Sequence, residues 1–93
     1  MELKSKNPLF ITKGENMTEV VSPIPGTFYR KPSPDKAPYV EIGDEVTETS
    51  VLCLVEVMKT FNEIQAGVKG KIKEIRVENE AFVNAGDVLF VIE

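Results

Sequence analysis

The architecture of this chain follows from residues 51–65. They read Val51-Leu52-Cys53-Leu54-Val55, then Glu56-Val57-Met58-Lys59-Thr60, then Phe61-Asn62-Glu63-Ile64-Gln65. The first segment is a continuous apolar run and the third mixes apolar with polar residues, so both predict β-strands. Two strands this close in sequence must be joined by a tight turn. We centre it on Met58-Lys59 and call it the lysine turn.

The lysine turn lacks the residues that tight hairpins favour. The common hairpin turns need positive φ and select Gly, Asn or Asp, and none of these occurs between Val55 and Phe61. A turn on Met58 and Lys59 therefore carries backbone strain, which is more often kept for function than for stability. The alternative interpretation is that Lys59 is an ordinary exposed lysine in a surface loop.

The composition describes one small folded domain. The chain has 93 residues, 42% of them hydrophobic and 28% charged, which is typical of a globular protein rather than a disordered one. Its net charge of -4 argues against nucleic acid or an anionic membrane surface as a partner. No apolar run has the length of a membrane span, and no signal-peptide core follows Met1. We therefore expect a cytoplasmic protein without a nucleic-acid or membrane partner.

The residue types needed for catalysis are scarce. The absence of histidine excludes Ser-His and Cys-His nucleophile pairs, and the single Cys53 makes neither a zinc site nor an internal disulfide. Cys53 lies in an apolar run, so we expect a buried and inert thiol. Neither a catalytic residue nor a metal site is predicted. The chain is expected to be a binding, carrier or structural module, not an enzyme by itself.

The rest of the chain consists of short strands and turns. Residues 1–17 show no clear period and predict a loosely ordered N-terminal arm ahead of a domain at 18–93. Residues 30–38 contain three prolines, which cannot lie inside a sheet, so they predict a projecting loop. Many short strands at close intervals predict an all-β sandwich or barrel. The further predicted strands are Val20-Val21, Thr27-Phe28-Tyr29, Tyr39-Val40-Glu41-Ile42, a segment from Val46, Lys71–Val77, Phe82-Val83 and Val88–Ile92. Gly67 and Gly70 are interpreted only as turn glycines.

An internal repeat relates the two halves of the domain. Val46 to Glu56 aligns with Val83 to Glu93 at a constant shift of 37 residues. Upstream, Gly26-Thr27-Phe28 aligns with Gly70-Lys71-Ile72 at a shift of 44, so the first half carries a seven-residue insertion at residues 31–37. Two similar β-units can bury their apolar faces against each other. A pseudo-twofold arrangement would place Lys59 at one end of the domain and the chain termini near the other.

These segments also resemble a known family. Glu56-Val57-Met58-Lys59 is similar to the biotin-attachment motif, usually Glu-Ala-Met-Lys-Met, and Leu52–Glu56 resembles the approach to it. Residues 26–35 are similar to the "thumb" of the biotin carboxyl carrier proteins of bacterial acetyl-CoA carboxylase. The resemblance covers residues 20–93. It implies a flattened β-barrel of two four-stranded antiparallel sheets with pseudo-twofold symmetry, of the biotinyl/lipoyl type, with a protruding thumb loop at about 30–38.

The resemblance further implies a carrier function. Lys59 would be biotinylated by a biotin protein ligase, and the biotin would carry a carboxyl group from a biotin carboxylase to a carboxyltransferase. The product in this family is malonyl-CoA for fatty acid synthesis. The ligase would recognise the turn formed by Glu56, Val57, Met58 and Thr60, with Met58 as either an adaptable apolar contact or a core residue. In the thumb, Lys31 would face biotin and could donate a hydrogen bond to its ureido oxygen.

Several residues depart from the family pattern, and two alternatives therefore stay open. Val57 replaces a small Ala, Thr60 stands where Met is usual, and Lys31 replaces a small hydroxyl residue. The usual Ala/Pro linker and helical N-terminal region are replaced by seventeen uncharacteristic residues. One alternative is an unmodified, diverged paralogue that acts as a scaffold subunit. The other is a lipoyl-type carrier, although lipoyl turns usually have Asp or a small residue before the lysine and lack the thumb.

Overall fold

A computed structural model describes residues 17–93, which form eight short β-strands. No helix in this range could cross a membrane. The all-β prediction is confirmed. The strands are β1 (Thr18–Val21), β2 (Gly26–Tyr29), β3 (Glu45–Val46), β4 (Val51–Val57), β5 (Thr60–Gln65), β6 (Gly70–Ile75), β7 (Phe82–Val83) and β8 (Val88–Ile92). The predicted N-terminal arm lies outside the described residues, apart from Met17, and stays a prediction.

The strands form two four-stranded antiparallel sheets. The first, the lysine sheet, has the order β5-β4-β2-β7, and the second, the terminal sheet, has the order β1-β8-β6-β3. Apolar side chains from both sheets share one core, in which the rings of Phe28 and Phe90 lie 5.9 Å apart. Because each sheet alone would leave its apolar face in water, packing them face to face stabilises both. The fully buried core side chains include Phe28, Leu52, Cys53, Val55, Ile72, Val83, Leu89, Phe90 and Ile92.

The two halves are related as the repeat predicted. A Cβ at Gly26 would lie 2.5 Å from the Glu56 carbonyl oxygen, and a Cβ at Gly70 would lie 2.6 Å from the Glu93 carbonyl oxygen. These two contacts are equivalent under the shifts of 44 and 37 residues. Both positions need glycine because the neighbouring strand passes too close for a side chain. The interpretation of Gly70 as a turn glycine only was therefore wrong.

The lysine turn lies at the opposite end of the domain from the start of β1 and the C-terminal end of β8. Thr18, at the start of β1, pairs with Ile92, at the end of β8. The far end of β1 leads through residues 22–25 into Gly26, which lies against Glu56 beside the lysine turn. The C-terminal end of β8 is thus one strand length away from the turn, as the pseudo-twofold arrangement predicted.

The predicted strand over Tyr39–Ile42 was wrong. The segment is followed by a turn in which Asp44 Oδ2 accepts the Glu41 N–H at 2.9 Å and the Asp44 N–H donates to the Glu41 carbonyl at 3.1 Å. Gly43, with φ of 97°, completes this turn. Strand pairing with β6 begins only at Glu45. The hydrogen bonds of the turn replace those that a longer strand would have made.

The proline-rich insertion projects from the lysine sheet as the thumb loop (residues 30–38). It leaves β2 at Arg30, and the Tyr39 N–H donates to the Arg30 carbonyl at 2.9 Å where the chain returns. The Arg30 N–H donates to Asn79 Oδ1 at 2.8 Å, and Arg30 Nη2 donates to the Val40 carbonyl at 3.2 Å. These bonds fix the base of the loop to the body of the domain.

Candidate functional site

The lysine turn is a two-residue hairpin connection with unusual backbone angles. Val57 and Thr60 form the last pair between β4 and β5, which leaves Met58 and Lys59 as the two loop residues. Both have positive φ, 50° and 66°. Positive φ at both central residues is the signature of a type I′ turn, which matches the twist of the flanking strands. For side chains other than glycine each such residue costs about 1–2 kcal/mol, so the predicted backbone strain is confirmed.

Two polar side chains stabilise this strained turn. Glu56 Oε2 accepts the backbone N–H of Lys59 at 2.7 Å. Asn62 Nδ2 donates to the carbonyl oxygens of Val55, at 3.2 Å, and Thr60, at 3.3 Å. Sequence reasoning missed Asn62, and its position two residues after Thr60 was the only available signal. Together these hydrogen bonds give the apex one defined backbone conformation.

The turn presents Lys59 to solvent. Lys59 and Thr60 are exposed, and Met58 is 91% exposed. Val57, by contrast, packs against the core. The interpretation of Met58 as a core residue was therefore wrong, and the apolar side chain that anchors the turn belongs to Val57. Lys59 thus stands at an exposed apex whose base is held by the half-buried side chain of Val57 and by two hydrogen-bonding side chains.

Lys31 lies in a separate cavity beneath the thumb loop. This cavity has a volume of about 250 Å³, and Lys31 and Ser33 contribute polar groups to it from the loop. Its sheet side is formed by Leu54 and by the rings of Tyr29 and Phe61, which are 6.1 Å apart. Lys59 does not line the cavity, but Phe61 follows it by only two residues. The structure therefore brings Lys31 and the lysine turn to neighbouring positions rather than into one pocket.

Comparison with known families and proteins agrees with this geometry. The family model described as "Biotin-requiring enzyme" matches residues 18–92. The chain is 45% identical over 73 residues to the biotin carboxyl carrier protein of acetyl-CoA carboxylase from Chlamydia trachomatis, covering 78% of this chain and 44% of that protein. It is 46% identical over 65 residues to the protein of the same name from Nostoc, covering 70% of this chain and 36% of the other. The chain thus spans about half or less of the length of these curated relatives.

Solved structures show the same fold. The urea carboxylase of Kluyveromyces lactis contains a similar region with a TM-score of 0.68 and 27% identity, covering 83% of this chain and 6% of that one. An aspartoacylase family protein from Mesorhizobium loti has a TM-score of 0.63 at 20% identity, over 95% of this chain and 26% of that one. At that identity the second likeness concerns the fold alone.

Proposed function

The chain belongs to the family of biotin-requiring enzymes, whose model covers residues 18–92, and on that premise we propose that its function is to carry biotin on Lys59. The observation that carries the proposal is the exposed amine at the apex of a two-residue turn with positive φ at both loop residues. A carrier lysine must be reachable by a modifying enzyme and must always be presented in the same way. The lysine turn meets both requirements because its backbone is fixed from both flanking strands.

The residues of the chain hold and present the acceptor amine. The Lys59 Nζ would form an amide with the biotin carboxyl group, with loss of one water, so that a charged amine becomes a neutral tether. When bound, biotin supplies the chemistry of carrying a carboxyl group. The protein supplies the position: Glu56 and Asn62 fix the turn, and Val57 anchors it to the core. Tethering raises the effective concentration of the group at each partner enzyme.

The residues near the turn fit biotin as the attached group. Lys59 is exposed, so acylation buries no charge and displaces no packed side chain. The cavity beneath the thumb loop is lined by the aromatic residues Tyr29 and Phe61 and by Lys31. Such a combination suits a compact group with an apolar body and a carbonyl-type oxygen. Lys31 is the residue that we assign to hydrogen bonding with this oxygen.

The names of the relatives support the choice of partners. We place the chain in an acetyl-CoA carboxylase complex, where it passes carboxyl groups from a biotin carboxylase to a carboxyltransferase in the synthesis of malonyl-CoA and fatty acids. Support comes from the names of relatives at 45% and 46% identity. The chain would be a carrier without catalytic residues of its own, modified by a biotin protein ligase. The free, buried thiol of Cys53 suits the reducing cytoplasm in which we place it.

Intact mass spectrometry after incubation with biotin, ATP and a biotin protein ligase tests the proposal. We expect a gain of one biotin less one water in the wild type and no gain in Lys59→Arg, which keeps the positive charge but offers no acylable amine. An unmodified wild type, under conditions that modify a control carrier domain, would contradict the proposal and favour the unmodified scaffold. A lipoyl adduct on Lys59 in the protein purified from its own cells would favour the lipoyl-type carrier instead.

A further inference from the structure

An exposed row of side chains crosses the outer face of the lysine sheet next to the turn. Strand pairing sets Phe61 opposite Glu56, Glu56 opposite Thr27, and Thr27 opposite Phe82. Residues paired in this way share one face of a sheet. We call Phe61-Glu56-Thr27-Phe82 the aromatic row. It lies one residue pair away from Val57 and Thr60, the pair that closes the lysine turn.

The aromatic row leaves apolar surface exposed to solvent. Phe61 is 58% exposed and Phe82 is 66% exposed. Met58, at the turn itself, extends this apolar surface towards Lys59. Single exposed apolar side chains are common, but two aromatic rings in one strand-paired row that begins beside an exposed methionine and a functional lysine are typical of an interaction surface.

The second half of the domain shows that folding does not require an aromatic ring at the position of Phe82. The repeat places Glu45 at the position equivalent to Phe82, Lys71 at that of Thr27, and Glu93 at that of Glu56. Glu45 pairs with Lys71, and the backbones of Lys71 and Glu93 exchange two hydrogen bonds, so the same row exists at the far end of the molecule. All three of these residues are charged and exposed, whereas Met17, at the position equivalent to Phe61 by the shift of 44, is apolar. The same backbone geometry thus tolerates a charged residue in place of Phe82, and the exposed ring at this position needs a functional explanation.

We propose that the aromatic row is the docking surface for the ligase that modifies Lys59; this inference rests on the proposed function. An enzyme that acylates the bare amine must approach the turn to within the length of one lysine side chain. Its surface must then cover the strand positions next to the turn, which are Phe61 and Glu56. Enzymes that act later reach the end of a longer arm and can stay further from the sheet.

The charge in the aromatic row indicates the chemistry of the partner's surface. Glu56 stands between the two aromatic side chains, so the complementary surface is apolar with a basic side chain facing Glu56. A second copy of this chain fits less well. A twofold contact through the row would place the two Glu56 carboxylates near one another without a counter-charge from the row itself.

Steady-state kinetics of biotin transfer to the purified chain, with the biotin protein ligase of the same organism, test this inference. The variant Phe82→Glu copies the residue found at the equivalent position of the far row. We expect it to lower kcat/KM roughly tenfold, mainly through a higher KM, because an apolar contact is replaced by a second negative charge in the row that contains Glu56. Glu45→Phe makes the reverse exchange at the far row and is expected to leave kcat/KM unchanged.

The variants Phe61→Thr and Phe82→Thr control for a folding defect, since threonine favours strands and already occupies the middle of the row. Each is expected to keep the urea midpoint near that of the wild type and to lower kcat/KM. Wild-type kinetics in both Phe82 variants, with Lys59 fully modified, would overturn the docking surface while leaving the carrier function intact. If the wild type is not modified at all, both the docking surface and the carrier function are overturned. Concentration-dependent dimerisation that Phe82→Glu abolishes would assign the row to a second copy instead.

Discussion

Glu56 stabilises a backbone conformation that the residues beside it disfavour. Neither Met58 nor Lys59 is a residue type that readily adopts positive φ, yet both do so here. The Glu56 carboxylate accepts the N–H of Lys59 at 2.7 Å, a charge-assisted hydrogen bond of the short kind. The hydrogen bond exists only when the turn is formed. Part of the cost of the strained turn is therefore offset three residues upstream of the lysine.

Replacing Glu56 measures this contribution. We expect Glu56→Ala to lower the free energy of unfolding by about 1 kcal/mol, because the Lys59 N–H loses its partner in a solvent-accessible turn. Glu56→Gln retains an acceptor oxygen of the same reach and should lose less than half as much. Urea denaturation followed by circular dichroism provides both values. Equal losses in the two variants would assign the effect to the charge of Glu56 rather than to its hydrogen bond.

At the scale of the strand, close packing at two glycines links β2 to β4 and β6 to β8. Gly26 lies where a Cβ would also meet a methyl group of Val55 at 2.8 Å, and Gly70 lies where a Cβ would meet a methyl group of Ile92 at 2.6 Å. Backbone atoms form the other side of each contact, so side-chain rotation cannot relieve the overlap. The strands would have to move apart.

Alanine substitutions at these glycines form a matched pair. Gly26→Ala and Gly70→Ala should each lower the free energy of unfolding by about 2 kcal/mol through overpacking. Only Gly26 lies beside Glu56, so only Gly26→Ala should also slow biotinylation of the fraction that remains folded. Urea denaturation and single-turnover biotin transfer separate the two effects. If both variants slowed transfer equally, the effect would arise from general destabilisation and not from displacement of β4 near the turn.

The sequence predicted strands well where apolar residues alone define them. The runs in β4 and β8 were evident because both strands lie in the core of a sandwich, and the repeat in these runs predicted the relation between the two halves. The predicted strand over Tyr39–Ile42 was wrong because β-branched and aromatic residues also occur in loops that pack on a core. Val40 is buried in this segment without strand pairing. Composition indicates burial, but it does not indicate whether a partner strand is available.

At the scale of the molecule, residues that depend on register were the hardest to predict. The strain of the lysine turn was predictable because it follows from the absence of Gly, Asn and Asp. The aromatic row was not, because Phe61 and Phe82 are 21 residues apart in sequence and come to lie in one row only through the pairing of four strands. The position of Leu54 was equally hard to predict. It belongs to an apolar run but lies beneath the thumb loop, outside the main core cluster.

The core between the two sheets includes a titratable group, so the exclusion of water from the core can be measured. Cys53 is fully buried, and burial raises the pKa of its thiol from 9.0 to about 12. The unfolded chain therefore loses this proton at a lower pH than the folded chain. Between the two values the folded state binds more protons, so stability must fall as the pH rises. The contribution of Cys53 is complete below pH 9 and decreases above it.

Comparison with Cys53→Ala isolates this contribution, because the two proteins share every other titratable group. Below about pH 9 the wild type should be more stable by a constant amount, since alanine leaves a small cavity. Above that pH the difference should shrink, approaching about 1.4 kcal/mol per pH unit, which is the free energy of one unit of pKa shift. Urea denaturation at several values between about pH 8 and about pH 10.5 measures the trend in the unfolding free energy. A difference that stays constant over this range would mean that the thiol ionises as readily in the folded protein as in the unfolded chain, and hence that water reaches the space between the two sheets.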